Sequence, residues 1–276
     1  KAYKKNNIKI FSLGEIGDIT YPYTILENST KTISEIINNK HKLSQIIKES
    51  KRPIFIIGQS ALKLNSSPYI IEELKKYLSK NNKINNDWNS LNILSNNAAT
   101  VGSYDLNILS SKNGTNNTLE RIKKNEFEVL FLFGQENLKF KKDKEFIIYV
   151  GSHGDRGAEM ADIILPGASY TEQDGYFTNL EGKIQKAYQA SYPPGEAKED
   201  WKIINELSAS LKRKYLYSDK DELINSMLNY LNLYKDKKDF EIPEYKFIEE
   251  KIHVEDIDYY HSNSIARASK TMAECK

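Results

Sequence analysis

Three stretches of this chain hold residue types at spacings that could do chemistry. The first is Gly151-Ser152-His153-Gly154-Asp155-Arg156-Gly157. Three glycines follow an apolar run, with a histidine and an Asp–Arg pair among them. At the carboxyl edge of a parallel sheet such a loop can receive a ligand. His153 would then act as acid or base and Arg156 as an anion clamp. The favoured reading is plainer: a glycine-rich connection in which Asp155 and Arg156 tie the loop down by an ion pair or a cap. The second stretch carries Glu172, Asp174 and Glu181. Paired carboxylates can exchange protons with a substrate, but no nucleophile or cofactor motif accompanies these, and a solvated turn is favoured. The third is Ile57-Gly58-Gln59-Ser60-Ala61. A glycine after a strand can bring backbone N–H groups to a phosphate at a helix N-terminus. Here G-x-G-x-x-G is absent and the next helical pattern starts about ten residues later, so Gly58 is read as a strand end. A phosphate-binding G-x-x-x-x-G-K-[ST] does not occur, and no Ser–His–Asp set can be argued from spacing.

Sulfur and imidazole are too scarce for metal chemistry. Of 276 residues one is a cysteine, Cys275, and the histidines His41, His153, His253 and His261 are scattered. One thiol makes no intrachain disulfide, no Cys-rich zinc site and no four-thiolate iron–sulfur cluster. This excludes a self-contained iron–sulfur or zinc protein and disfavours a disulfide-dense secreted one. Forty Lys and Arg against 38 Asp and Glu leave +2 at neutral pH, without the basic excess of a nucleic-acid footprint. Lys outnumbers Arg 35 to 5, with 32 Ile and 26 Asn, a skew that points to A+T-rich coding. Runs such as Asn81-Asn82-Lys83 are therefore read as compositional filler in a loop. No targeting segment is read at the start. The longest apolar runs, as at 129–133 and 146–150, are far short of the roughly 20 residues of a bilayer span, so none is expected.

The elements that would position these residues follow from apolar periodicity. Ile8, Ile10 and Phe11 predict a strand ending near Gly14. Ile33, Ile36, Ile37, Leu43, Ile46 and Ile47 predict a helix over 32–48. The run from Pro53 to Gly58 predicts a strand buried on both faces. A helix is expected over 69–78, and a short one near Leu119 and Ile122. Strands are expected at 129–133, at 146–150 and at 163–165, the last stopped by Pro166. After Pro193-Pro194-Gly195, the residues Trp201, Ile204, Leu207 and Leu211 predict the buried face of a helix. A last helix over 219–230 would take Ser218 as N-cap and Asp221 in its capping box. From about Leu233 the chain is charged and aromatic without period, and is read as an extended tail. The alternation implies an open α/β sheet with helices on its faces. Any domain boundary is expected near Ser111–Asn117. At this chain length no staple is required, since roughly three-quarters of the unfolded surface can be buried.

Longer strings are more specific than any of these sites. ADIILPGASYTEQDGYFTNLEGKIQ, Ala161 to Gln185, resembles the strand-and-loop signature of the molybdopterin oxidoreductase superfamily. GSHGDRGAEM (Gly151 to Met160) and PPGEAKEDWKIINELS (Pro193 to Ser208) flank it. DITYPY stands at Asp18 to Tyr23, DWNSLNILSNNAATVGSYDL at Asp87 to Leu106, and SIARASKTMAEC at Ser264 to Cys275. Six strings in one order resemble one branch of that superfamily, the large iron–sulfur subunits of respiratory complex I, in its mitochondrial and alphaproteobacterial form.

The resemblance implies an α/β fold with an open, mostly parallel sheet and helices on both faces, plus an extended C-terminal tail. Residues 1–215 would be the later part of the molybdopterin-oxidoreductase-like domain, its first strands elsewhere, and 216–276 the C-terminal helix and tail. It implies a non-catalytic structural and assembly role in the peripheral arm of NADH–ubiquinone oxidoreductase, supporting electron transfer from NADH to quinone. No catalytic, cofactor-binding or metal-binding residue is expected in this chain. The iron–sulfur clusters would sit in the missing N-terminal part or a companion chain, and the partners would be other peripheral-arm subunits. The location would be the matrix side of the mitochondrial inner membrane, or the cytoplasmic face of a bacterial one. Tyr176 stands where the superfamily often has Thr, and Lys183 replaces the Arg after Glu181-Gly182; both weaken a case for bound pterin. The alternative is half of an active molybdopterin-dependent oxidoreductase such as a formate dehydrogenase. A third reading, a free dinucleotide-binding domain, lacks its glycine fingerprint.

Overall fold

The computed structural model describes residues 2–6, 8–108, 114–135, 138, 140–211, 213–234, 244–254 and 258–275. The chain folds into two compact units, 1–97 with 239–256, and 98–238 with 257–276. Compactness thus divides the chain elsewhere than at 215, the division that follows the family resemblance. Of the segment Ser111–Asn117, where a boundary was expected, residues 111–113 lie outside the described residues and 114–117 open a helix, while the compact units divide between 97 and 98.

In the first unit α1 (Ala2–Asn6) precedes β1 (Phe11–Leu13), which pairs in parallel with β2 (Thr24–Leu26). The helix expected over 32–48 is two helices, α2 (Thr30–Ile37) and α3 (Lys42–Glu49). Asn39 causes the break: at φ 59° it is left-handed, and a helix cannot continue through it. The Asn39 N–H donates to the Ile36 carbonyl and the Lys40 N–H to the Glu35 carbonyl, closing a Schellman motif. His41 then starts α3, its Nδ1 accepting from the Leu43 N–H. The apolar positions still meet, because both helices turn Ile33, Ile36, Leu43 and Ile47 into one core.

Next come β3 (Phe55–Gly58), α4 (Gln59–Leu62), α5 (Ser67–Lys80), a small hairpin of β4 (Ile84–Asn85) with β5 (Trp88–Asn89), and β6 (Leu91–Leu94). β3 and β6 are parallel, and α5 packs Ile70, Leu74, Tyr77 and Leu78 with Ile57 in the core. β3 was expected to be buried on both faces. It is not: Ile54 and Ile56 are 60% and 66% exposed, because the core-forming helices pack against the opposite face. Residues 244–252 then lie across the N-termini of α2 and α5. The Thr30 N–H donates to the Glu250 carbonyl, Ile252 N–H to Asn28, and Ser66 Oγ to the Ile248 carbonyl.

The second unit opens with α6 (Thr100–Asp105) and α7 (Gly114–Lys123). The strands β7 (Val129–Phe133), β8 (Phe146–Gly151) and β9 (Ile163–Pro166) follow, with α8 (Arg156–Met160) between the last two. The three strands form one parallel sheet in the order β7-β8-β9. Leu132, Ile147 and Tyr149 on one face are buried under Leu138, Phe140, Ala158 and Met160. The other face is largely bare. The antiparallel hairpin β10 (Gly175–Thr178) and β11 (Ile184–Ala187) comes next.

Then follow α9 (Asp200–Ser210), α10 (Lys220–Tyr234), α11 (Ser264–Ala268) and α12 (Lys270–Glu274). On α9 the buried residues are Ile203 and Asn205, whereas Ile204 and Leu211 are exposed, contrary to the face expected. Asn205 is inside because its amide organises the next loop, accepting from the Leu216 and Tyr217 N–H groups and donating to the Tyr217 carbonyl. The cap of α10 lies one residue later than expected. Asp219 accepts from the Glu222 N–H at 2.9 Å, and Glu222 reaches back to Ser218. Beyond 233, the segment read as an extended tail ends in the helices α11 and α12. The architecture is mixed α/β, built from small parallel sheets and helices, rather than one continuous sheet among the described residues.

Candidate functional site

The loop from Gly151 to Gly157 leaves the carboxyl end of β8, the edge of a parallel sheet where ligands are generally received. Its glycines serve the packing of Tyr149 and the neighbouring backbone. A Cβ on Gly151 would collide with the Tyr149 hydroxyl. A Cβ on Gly157 would lie 2.6 Å from the Gln135 carbonyl oxygen and 3.0 Å from the Tyr149 ring. Tyr149 is 1% exposed, and its hydroxyl donates to the His153 carbonyl at 2.9 Å. A buried phenol must find such a partner. The glycines therefore admit a tyrosine, and the tyrosine pins the loop.

The loop's polar residues follow the plainer reading with one change. Asp155 caps α8, accepting from the Arg156 N–H at 2.8 Å. Its ion-pair partner is Arg267 of α11, whose Nε lies 2.9 Å from Asp155 Oδ2. His153 Nδ1 sits 2.9 Å from Ser152 Oγ. Nothing in the local sequence announced Arg267, which is 112 positions away.

The three carboxylates are not gathered for proton transfer. Glu172 accepts from the Ser169 N–H at 3.0 Å. In the tight turn of the β10–β11 hairpin, the Glu181 N–H donates to Asn179 Oδ1. Asp174 accepts from the Gln189 N–H at 2.8 Å and pairs with Lys186 at 3.2 Å and Lys220 at 3.4 Å. That backbone bond and the two ammonium groups hold its carboxyl below the usual range. Lys220 also binds Glu199, which Lys202 joins at 3.2 Å. Burial works against the charge of Glu199, but its two lysines outweigh this and lower its pKa. Next to it, burial pushes the Asp200 carboxyl up, with Gln173 opposing and Glu199 adding to the rise. The network of Asp174, Glu199, Lys186, Lys202 and Lys220 joins the hairpin to the starts of α9 and α10. Only the Glu199–Lys202 spacing could have been found in the sequence.

Two other places lie apart from these residues. After Gly58 a helix begins at once, at Gln59, rather than ten residues on, and it is only four residues long. A shallow, open surface depression is lined by residues 17–23, where the Tyr23 hydroxyl donates to the Gly17 carbonyl. Among the described residues no three His, Cys, Asp or Glu groups gather as metal ligands.

The resemblance to molybdopterin enzymes invites a test of fit. An anionic pterin group needs free backbone donors and cations. Here Asp155, Glu172 and Asp174 occupy the donors at 156, 169 and 189, and Lys186 and Lys220 are paired with carboxylates. These particular donors and cations are engaged within the fold.

The model of the molybdopterin oxidoreductase family matches residues 1–210. A second family model, that of the C-terminal part of the NADH-ubiquinone oxidoreductase G subunit, matches residues 244–275. The 75 kDa subunit of NADH-ubiquinone oxidoreductase of Reclinomonas americana is 33% identical over 289 residues, covering 100% of this chain and 41% of that protein. The G subunit of NADH-quinone oxidoreductase of Rickettsia bellii is 36% identical over 280 residues, covering 99% of the chain and 40% of that protein. The chain therefore spans about two-fifths of the length of these curated relatives.

Proposed function

The chain belongs to the molybdopterin oxidoreductase family, and on that premise we propose that it is the later portion of the G subunit of an NADH–quinone oxidoreductase, complex I. It is a structural and assembly part of the peripheral arm, without catalytic residues, clusters or pterin of its own. The observation that carries this reading is the succession of two family matches on one chain, the oxidoreductase domain first and the C-terminal segment of the G subunit after it. The likeness along the whole chain to proteins of that name supports it. So does the engagement of Asp155, Glu172, Asp174 and Glu199 in caps and ion pairs, which leaves them occupied with holding the fold.

In this reading the small parallel sheets belong to an open, mostly parallel architecture with helices on both faces. Residues 1–215 are its oxidoreductase-like part and 216–276 its C-terminal helix and tail. The partners are other peripheral-arm subunits, including the segment or chain that bears the iron–sulfur clusters. A buried electron path needs fixed geometry and excluded water, and surrounding protein supplies both. The location is the matrix side of the mitochondrial inner membrane, or the cytoplasmic side of a bacterial one. No described helix is long and apolar enough to cross a membrane. Affinity purification of this chain in mild detergent tests the reading. The expected product is a large NADH-oxidising assembly containing iron and no molybdenum. Molybdenum at stoichiometry with the chain, or recovery of the chain alone, would overturn it.

A further inference from the structure

The β7–β8–β9 sheet has one face covered over β7 and β8, although Ile164 of β9 is 55% exposed on that side, and the other face is largely bare. Register places Val129 beside Phe146, Phe131 beside Ile148, and Ile148 beside Ile163, on the same side of the sheet. Val129, Phe131, Phe146 and Ile163 are 42–50% exposed, and Phe131 stacks on Phe133 at 6.3 Å along the same face. Only toward the carboxyl end, at Val150, is this face buried. Parallel sheets occur almost only with both faces covered. A bare strip of aromatic and branched side chains of this kind marks an interaction surface.

The topology explains why this stretch cannot cover the strip itself. The strands run in the order 7-8-9, so both connections advance in the same direction. Right-handed crossovers then put both connections on one face. That is what the packing shows: Leu138 and Phe140 of the first connection, and Ala158 and Met160 of the second, all lie on Leu132, Ile147 and Tyr149. Helices on the other face must come from strands added in the opposite direction, beyond β7. Among the described residues β7 pairs only with β8, so its outer edge is open.

We propose that this bare face and the open edge of β7 are the seat of a strand and amphipathic helices from the part of the G subunit that precedes this stretch in its relatives. The inference rests on the functional reading above and adds to it a surface and its occupant. About three-fifths of each relative lies outside the match, and the model of the G subunit's C-terminal part matches residues 244–275, which favours an occupant from the portion N-terminal to the match. The positions named carry no charge, so the occupant must present an apolar stripe. It reaches the sheet from the same polypeptide or from a companion one.

The test uses the assembled complex. Cys275 is the only cysteine of the chain. A Cys275→Ser, Phe131→Cys variant therefore carries one thiol, on the bare face. In the native assembly this thiol should react with a maleimide at least about tenfold more slowly than after denaturation. A benzophenone attached to it before assembly should cross-link to a peptide from the preceding portion of the same subunit. A thiol that reacts freely in the intact assembly overturns the proposal. So does a cross-link to a second copy, to residues 8–97 of the same chain, or to a different subunit. An assembly without NADH oxidation counts against the functional reading instead, and the cross-linked peptide still reports what covers the face.

Discussion

The carboxylate of Glu250 accepts a hydrogen bond from the backbone N–H of Ser66, 2.8 Å away, at the start of α5. The Asn65 side-chain amide adds a second bond to it at 3.0 Å. Ser66 makes no side-chain cap of its own, because its hydroxyl donates to the Ile248 carbonyl instead. A residue 184 positions away thus caps the helix that supplies more buried core residues than any other element of the first unit.

Replacing Glu250 by Ala should lower the unfolding free energy by about 1 kcal/mol, the usual cost of a lost cap. Acid behaviour gives a sharper check. Burial opposes the Glu250 charge, but the Ser66 and Asn65 donors outweigh it and lower the carboxyl pKa. A carboxyl whose folded pKa is lowered stabilises the fold above its unfolded value, about 4.3. That stabilisation disappears as pH falls through the folded value. Glu250→Gln should therefore flatten the fall in melting temperature below about pH 4.3, measured by pH-scanned thermal unfolding.

Asp155 and Arg267 form a pair with both side chains about one-quarter exposed. Arg267→Ala should cost about 1–2 kcal/mol, between the values for surface and buried pairs. Arg267→Lys should recover less than half, since an ammonium lacks the planar fork. A double-mutant cycle with Asp155→Asn checks the coupling, and additive effects would refute it.

Asparagine ends helices in this chain where glycine commonly does. Asn39, Asn82, Asn107 and Asn125 all have φ between 55° and 59°. Each donates its N–H three residues back, as Asn82 does to the Ser79 carbonyl, while the next residue bonds five back, as Lys83 does to Leu78. Asn82→Ala should destabilise by about 1 kcal/mol, and Asn82→Gly should be neutral or slightly stabilising. Denaturant midpoints of the two variants decide this; equal losses would mean that the backbone conformation is not the cause.

Gly157→Ala should be the most damaging of these substitutions. The new methyl would meet the Gln135 backbone oxygen at 2.6 Å, which no side-chain rotation relieves. A loss of about 3 kcal/mol or more is expected, read as a fall in melting temperature or in soluble yield.

Much of the architecture was legible in the sequence. The strands at 129–133, 146–150 and 163–165 stand where the apolar runs put them, since each run is bounded by glycine, proline or charge. The runs could not say which face would be covered. Ile56 and Phe131 have the composition of doubly buried strands, yet sit on open faces, because coverage depends on the direction of the crossovers. Asn39 and Asn82 belong to a compositional bias that reads as filler. Their left-handed geometry arises only when a helix has to stop there.

The candidate site divides in the same way. Local sequence determined that the 151–157 loop is rich in glycine and that Asp155 stands where a helix would start, because turn and cap chemistry depends on near neighbours. Tertiary structure alone decided that Tyr149 fills the space those glycines leave, that Arg267 rather than Arg156 answers Asp155, and that Glu250 caps α5. Those contacts join residues far apart in the chain or depend on which way a ring turns, and side-chain chemistry carries no address for a partner that only folding brings near.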